Sequence, residues 1–136
     1  EHGVIDCEDP FEVWDDTPRL DEGPIEIIDQ NVFLAIQMEV LAELLSMLGR
    51  EQEGRSWLDE RRVLIGRIKQ RFYSATDLCF FDRNRRTGAF VQVRTPASFL
   101  PPPSGILHTG AGDDSAALAQ SRCVLWRCAV PLRSLQ

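Results

Sequence analysis

The sequence predicts a mostly α fold built on antiparallel αα-hairpins, with a small β-hairpin inserted. Three observations carry this prediction. Apolar residues recur with helical period from Asp29 to Phe72, the pair Gly49-Arg50 interrupts that run once, and after Phe72 the period changes to short aromatic and β-branched runs around a polar turn.

The first helix opens at Asp29. From there Phe33, Ile36, Val40, Leu41, Leu44, Leu45 and Leu48 recur at spacings of one, three and four, with Gln37, Glu39, Glu43 and Ser46 in other directions, so these apolar residues form the expected buried stripe. Asp29 stands where its carboxylate can cap the free amides of the first turn, and Gly49 where a left-handed cap ends a helix most easily. The second helix is expected from about Glu51 to Phe72, burying Trp57, Leu58, Leu64, Ile65, Ile68 and Phe72. Glu51 and Glu53 suit its positive end and Arg67, Lys69 and Arg71 its negative end, while Gly54 and Gly66 weaken it. A connection as short as Gly49-Arg50 makes the two helices antiparallel neighbours.

The β-hairpin is expected from Cys79-Phe80-Phe81 and Ala89-Phe90-Val91-Gln92-Val93, joined by the polar turn Asp82-Arg83-Asn84-Arg85-Arg86-Thr87-Gly88. Arg83-Asn84-Arg85-Arg86 then reads as a solvated tip. Pro101-Pro102-Pro103-Ser104-Gly105 breaks regular structure, and a short helix from Asp113 or Asp114 to Gln120 follows.

Composition narrows the function. The chain has 136 residues, 43% hydrophobic and 26% charged, which suits one soluble domain or part of one. A formal net charge of −6 argues against a nucleic-acid partner, whose phosphates need clustered Lys and Arg. No apolar run reaches the roughly 20 residues that cross a bilayer, and Glu1-His2-Gly3 has no signal-peptide pattern, so no membrane role and a cytoplasmic location are expected. Cys7, Cys79, Cys123 and Cys128 form no CxxC pair, and His2 and His108 are isolated, so no metal and no cofactor are expected. Gly105 to Gly112 resembles a phosphate-cradling loop but lacks the Lys-Ser/Thr that grips phosphate and magnesium. Asp113-Asp114 lacks the surrounding oxygen ligands of a calcium loop.

The chemistry concentrates in Trp14-Asp15-Asp16-Thr17-Pro18-Arg19, which puts an indole, two carboxylates and a guanidinium into one proline-stiffened turn. Glycoside cleavage needs a carboxylic acid to protonate the departing oxygen and a second carboxylate to activate water or attack carbon. Asp15 can supply the first, with Trp14 and Asp16 pushing its pKa upward and Arg19 pulling it down. Trp14 either stacks on a sugar face or fills the core. Arg19 either holds substrate or braces the loop through Asp16 or Asp21. Asp29 is a helix cap or a sugar ligand, and Asn31 a second candidate for substrate.

Trp14 to Arg19, then Asp29-Gln30-Asn31 opening a helix, Leu41-Ala42-Glu43-Leu44, Leu48-Gly49-Arg50-Glu51, Asp82 to Gly88 and Pro96-Ala97-Ser98-Phe99-Leu100-Pro101, in that order, resemble the six-hairpin glycoside hydrolases. Within them the chain is most similar to the mannosylglycerate hydrolase, trehalase and processing α-glucosidase group, over residues 11–101; residues 102–136 carry no such likeness. The resemblance implies part of an (α/α)6 toroid and an inverting hydrolase of α-glucosidic or α-mannosidic bonds, acting on a disaccharide or oligosaccharide. It implies Asp15 as general acid, with Trp14, Asp16, Arg19, Asp29 and Asn31 at the substrate. The general base is implied to be a Glu late in the full domain, so the partner of this chain is the remainder of that domain, and no turnover is expected from the chain alone. Phe11-Glu12-Val13 stands where the family has Glu-Ser-Gly, and Gln30 where it more often has leucine. Two other function classes fit the residues: a non-catalytic carbohydrate-binding remnant, and a helical module whose apolar stripes bind a partner protein.

Overall fold

Gly49 divides the apolar stretch into two rods. In the computed structural model, which describes residues 3–7, 19, 23–77 and 79–99, α1 runs Ile28–Met47 and α2 runs Glu51–Phe72. Gly49 takes a φ of 72°, its N–H donates to Ser46 O at 3.0 Å and the Arg50 N–H reaches Leu45 O at 2.8 Å. These two bonds, one inside the other, close the last carbonyls of α1 as a Schellman cap. The helices are antiparallel, because Arg61 of α2 reaches back to Ala35 O (3.1 Å) and Glu39 (2.8 Å) while Gly54, earlier in α2, lies against the later Ala42. A Cβ at Gly54 would stand 3.0 Å from the Ala42 carbonyl oxygen. The glycine that lowers helix propensity is thus the one that lets the backbones meet.

The face of α1 turned inward differs from the expected stripe. Ile28, Val32, Ala35, Ala42 and Leu45 are buried, whereas Leu44 is 52% exposed and Leu48 71%, and Val40 and Leu41 are exposed with them. On α2, Leu64, Ile65, Ile68 and Phe72 are buried as expected, but Trp57 and Leu58 are exposed. The physical reason is that α1 is apolar almost all round, so period alone does not choose its inner side. The small residue Ala42 does, by allowing close approach to α2 at Gly54.

Six short strands stand at the end of the hairpin where α1 begins and α2 finishes. β1 (Asp6–Cys7), β2 (Ile25–Glu26), β5 (Asp82–Asn84) and β6 (Phe90–Val91) form one antiparallel sheet in that spatial order. β3 (Tyr73–Ser74) and β4 (Cys79–Phe80) form a separate ladder that continues α2. The fold is therefore a mixed one of two helices and short antiparallel strands, with one αα-hairpin among the described residues. The β-hairpin exists, but its arms are shifted: Asp82–Asn84 pairs with Phe90–Val91, and Cys79–Phe80 turns back onto the end of α2. Its turn is held by Asn84, whose Oδ1 accepts the N–H groups of Arg86 and Thr87, each at 2.9 Å, and by Gly88 at φ 70°.

The tip is less solvated than expected. Arg83 lies 4.3 Å over the Phe90 ring and donates to Arg71 O and Gly88 O, Asn84 is buried, and Arg85 pairs with Asp6 at 3.0 Å. Two apolar clusters tie the layers together. Ile28, Val32, Leu64, Ile65, Ile68, Phe72, Phe80 and Ala97 join the helices to β4 and the 3₁₀ turn Pro96–Phe99, and Cys7, Ile25, Ile27 and Val91 form a smaller core in the sheet. No helix among the described residues is long and apolar enough to cross a membrane. The expected helix from Asp113 or Asp114 to Gln120 lies outside the described residues.

Candidate functional site

Helix α1 begins one residue before the expected cap. Ile27 is the extended residue at its entrance and makes no side-chain cap, while Asp29 sits inside the first turn. The cap comes from elsewhere in the chain: the Ile28 N–H donates to Asp82 Oδ1 at 2.8 Å, across from β5. Asp29 supports the same helix end from within, its Oδ1 accepting the Gln30 N–H at 2.8 Å and its charge lying at the positive end of the helix dipole.

The remaining carboxylate oxygens face one guanidinium. Arg19 Nη2 donates to Asp29 Oδ2 at 2.9 Å and Nη1 to Asp82 Oδ2 at 3.1 Å. Arg19 and Asp29 are wholly closed to solvent and Asp82 very nearly so. Burial pushes the Asp82 carboxyl up to about 6, against the opposing pull of the Arg19 charge and the Ile28 N–H. The neighbouring Asp29 charge adds to the upward push, and a proton on Asp82 relieves the repulsion between the two acids.

Two residues after Asp29 in α1, Asn31 is also fully buried. Its Oδ1 accepts the Ile5 N–H at 2.9 Å, and its Nδ2 donates to Ile5 O at 3.1 Å and Ile27 O at 2.6 Å. The amide acts as an extra backbone unit, docking the chain before β1 onto the start of α1. Beside it, Arg71 from the last turn of α2 grips Glu26 Oε2 through two nitrogens at 2.9 and 2.6 Å. Burial and the neighbouring Arg71 lower the pKa of the Arg83 guanidinium, while Glu26 works the other way.

Among the site residues expected from sequence, the structure brings Arg19, Asp29 and Asn31 to one end of the hairpin and directs the bonds above to protein atoms. Trp14, Asp15 and Asp16 lie outside the described residues. So do Asp21 and Cys123 and Cys128; Cys7 and Cys79 are buried. Among the described residues Arg19 is bonded to Asp29 and Asp82; Asp16 and Asp21, the bracing partners expected from sequence, lie outside them. Asp82 is the residue that sequence reasoning missed. The sequence places it at the start of the polar turn, although a carboxylate directly after Phe80-Phe81 is a signal of a charge carried inward.

Chemically this cluster orients rather than reacts. No buried side-chain nitrogen or oxygen among the described residues lacks a hydrogen-bond partner, so the network is saturated and rigid. No group of three or more His, Cys, Asp or Glu side chains among them could hold a metal ion. Two shallow clefts lie near the far end of the hairpin, one of about 280 Å³ beside Glu53, Ser56, Trp57 and Glu60, the other of about 160 Å³ beside Ala42, Ser46 and Leu58. Compared with protein-family models, curated proteins and solved structures, the chain has no match.

Proposed function

We propose that the chain is part of the catalytic domain of a six-hairpin glycoside hydrolase, its αα-hairpin one element of an (α/α)6 toroid. The observation that carries this reading is the meeting of three motifs which are far apart in sequence. Arg19 ends the acidic loop motif, Asp29 begins the motif that opens α1 and Asp82 the motif of the β-turn, and Arg19 donates to both carboxylates in the interior. A fourth motif, Pro96–Phe99, contributes Ala97 to the core that contains Ile28 and Phe80.

In this proposal Asp15 protonates the oxygen of the departing sugar, and a Glu from the remainder of the domain removes a proton from the water that attacks the anomeric carbon from the opposite face. An inverting pair of this kind stands about 6.5–9.5 Å apart to admit the water. Trp14 offers a flat apolar surface to the pyranose ring and Asp16 raises the proton affinity of Asp15. Arg19, Asp29 and Asn31 serve the substrate indirectly, as the frame behind the loop. The bond cleaved is α-glucosidic or α-mannosidic.

A version extended to the full domain, assayed on trehalose, mannosylglycerate and glucosyl oligosaccharides, tests the reading. Asp15→Asn keeps the shape and removes the acidic proton, so kcat falls by about 100-fold or more. Turnover undiminished by Asp15→Asn removes Asp15 from the role.

One observation favours a second reading, a helical module that binds another protein. Val40, Leu41, Leu44, Met47 and Leu48 line an exposed apolar face of α1, with Met47 83% open to solvent. Under the first reading the same face receives neighbouring helices of the toroid. Association of the full domain through this face, with no hydrolysis of any of the glycosides, selects the second.

A further inference from the structure

Asp6, Glu26, Arg83 and Phe90 stand opposite one another in a single row across β1, β2, β5 and β6, so their side chains share one face of the sheet. Successive residues of a strand face opposite ways, which turns Arg83 away from Asp82 and the Arg19 network. Each acid of the row is held by a different arginine: Arg85 pairs with Asp6 at 3.0 Å, and Arg71 grips Glu26 at 2.6 Å. We propose that Arg83 is the centre of a second polar site, which binds the carboxylate of a small organic acid.

The guanidinium is fixed in direction before any anion arrives. Its Nε donates to Arg71 O at the end of α2 (2.7 Å), its Nη1 donates to Gly88 O in the turn (2.6 Å), and its central carbon lies 4.3 Å from the centre of the Phe90 ring. Phe90 is backed in turn by the buried Phe81, with ring centroids 6.2 Å apart. Carbonyl oxygens and a ring face orient a cation without cancelling its charge.

What remains is one open prong. Among the described residues no carboxylate bonds to Arg83 and nothing accepts from its Nη2. No buried side-chain nitrogen there lacks a partner, so Nη2 opens to solvent. A planar fork matches a planar carboxylate, and a single cation calls for a single negative charge. Burial and the nearby Arg71 charge hold the Arg83 guanidinium below its usual pKa, and an anion at Nη2 offsets both. An arginine that served only to tie the turn to α2 would need its two backbone bonds and no ligand.

Titration of the full chain with sodium acetate, at constant ionic strength and neutral pH and followed by NMR, separates the two roles. Saturable shifts are expected at the Arg83 Nε–H and at the Gly88 and Phe90 amides. Arg83→Gln should abolish the saturation, and Arg83→Lys, which keeps the charge but not the fork, should lower the apparent affinity about tenfold. Shifts that grow without saturating in the wild type overturn the proposal, as does equal affinity in wild type and Arg83→Gln. Phosphate at the same ionic strength is the second arm: saturation by phosphate and not by acetate overturns the assignment of a carboxylate. If Arg83→Gln does not fold, Arg83→Lys carries the test, and an affinity equal to that of the wild type sinks the site. The site goes beyond the proposed hydrolase, and neither a sugar nor Asp15 enters the measurement, so the two readings fail separately.

Discussion

Arg19 and Asp82 are 63 positions apart and meet at 3.1 Å in the interior, joining the segment before the helices to the strand after them. Asp82 also receives the first N–H of α1, so one carboxylate locks a loop, a helix entrance and a sheet together. The consequences of that arrangement are measurable.

Arg19→Met takes the guanidinium away from two buried carboxylates. Breaking one side of a buried ionic network costs about 3–5 kcal/mol, so urea denaturation at pH 7 should show a loss of that order. Adding Asp82→Asn removes one of the stranded charges and should recover part of the loss. A double variant as unstable as Arg19→Met refutes the electrostatic account.

The raised pKa of Asp82 makes stability depend on pH in a definite direction. The folded protein holds this proton up to about 6, whereas an unfolded aspartate releases it near 3.8. The contribution is therefore fully present below pH 3.8 and is lost as pH rises through about 6. Wild type minus Asp82→Asn, measured by denaturation from pH 4 to 7, should fall across that window and then flatten. A difference that is constant with pH contradicts the burial argument.

Two glycines in α2 should respond to alanine with opposite signs. At Gly66 nothing lies within 4 Å of an added Cβ, so Gly66→Ala stabilises by about 0.5–1 kcal/mol through helix propensity. At Gly54 the added carbon meets the Ala42 carbonyl oxygen at 3.0 Å, and a helix backbone yields little. Gly54→Ala is expected to cost about 1–3 kcal/mol by forcing the helices apart. Thermal unfolding of the two variants compares them directly.

The exposed face of α1 should govern association. Leu44 and Met47 make little of the core, so Leu44→Lys together with Met47→Lys should change stability by no more than about 0.5 kcal/mol each. Sedimentation should show less self-association than in wild type, because the contiguous apolar face is broken. Unchanged association would assign the sticky surface to another part of the chain.

Local chemistry made a good part of this protein legible from sequence. Gly49 ends α1 because a left-handed residue needs no Cβ, and the Glu51–Phe72 helix follows from period and end charges alone. The Asn84–Gly88 turn is likewise written in residues that bond to their own neighbours. β1 and β2 were not legible, since two-residue strands are too short to display a period and exist through their partners.

Tertiary structure decided which side of α1 is inside and brought Asp82 to Arg19. A helix apolar almost all round has no preferred face until Ala42 meets Gly54, a contact set by the approach of a second helix. Likewise the fold presents Arg19 with Asp29 and with Asp82, which stands 63 positions along the chain. A buried guanidinium bonds to the carboxylates that share its desolvated volume, and that volume is created only when α1 and β5 come together. Sequence therefore determined the elements whose bonds are short-range, and the packed fold determined the pairings whose partners arrive from far along the chain.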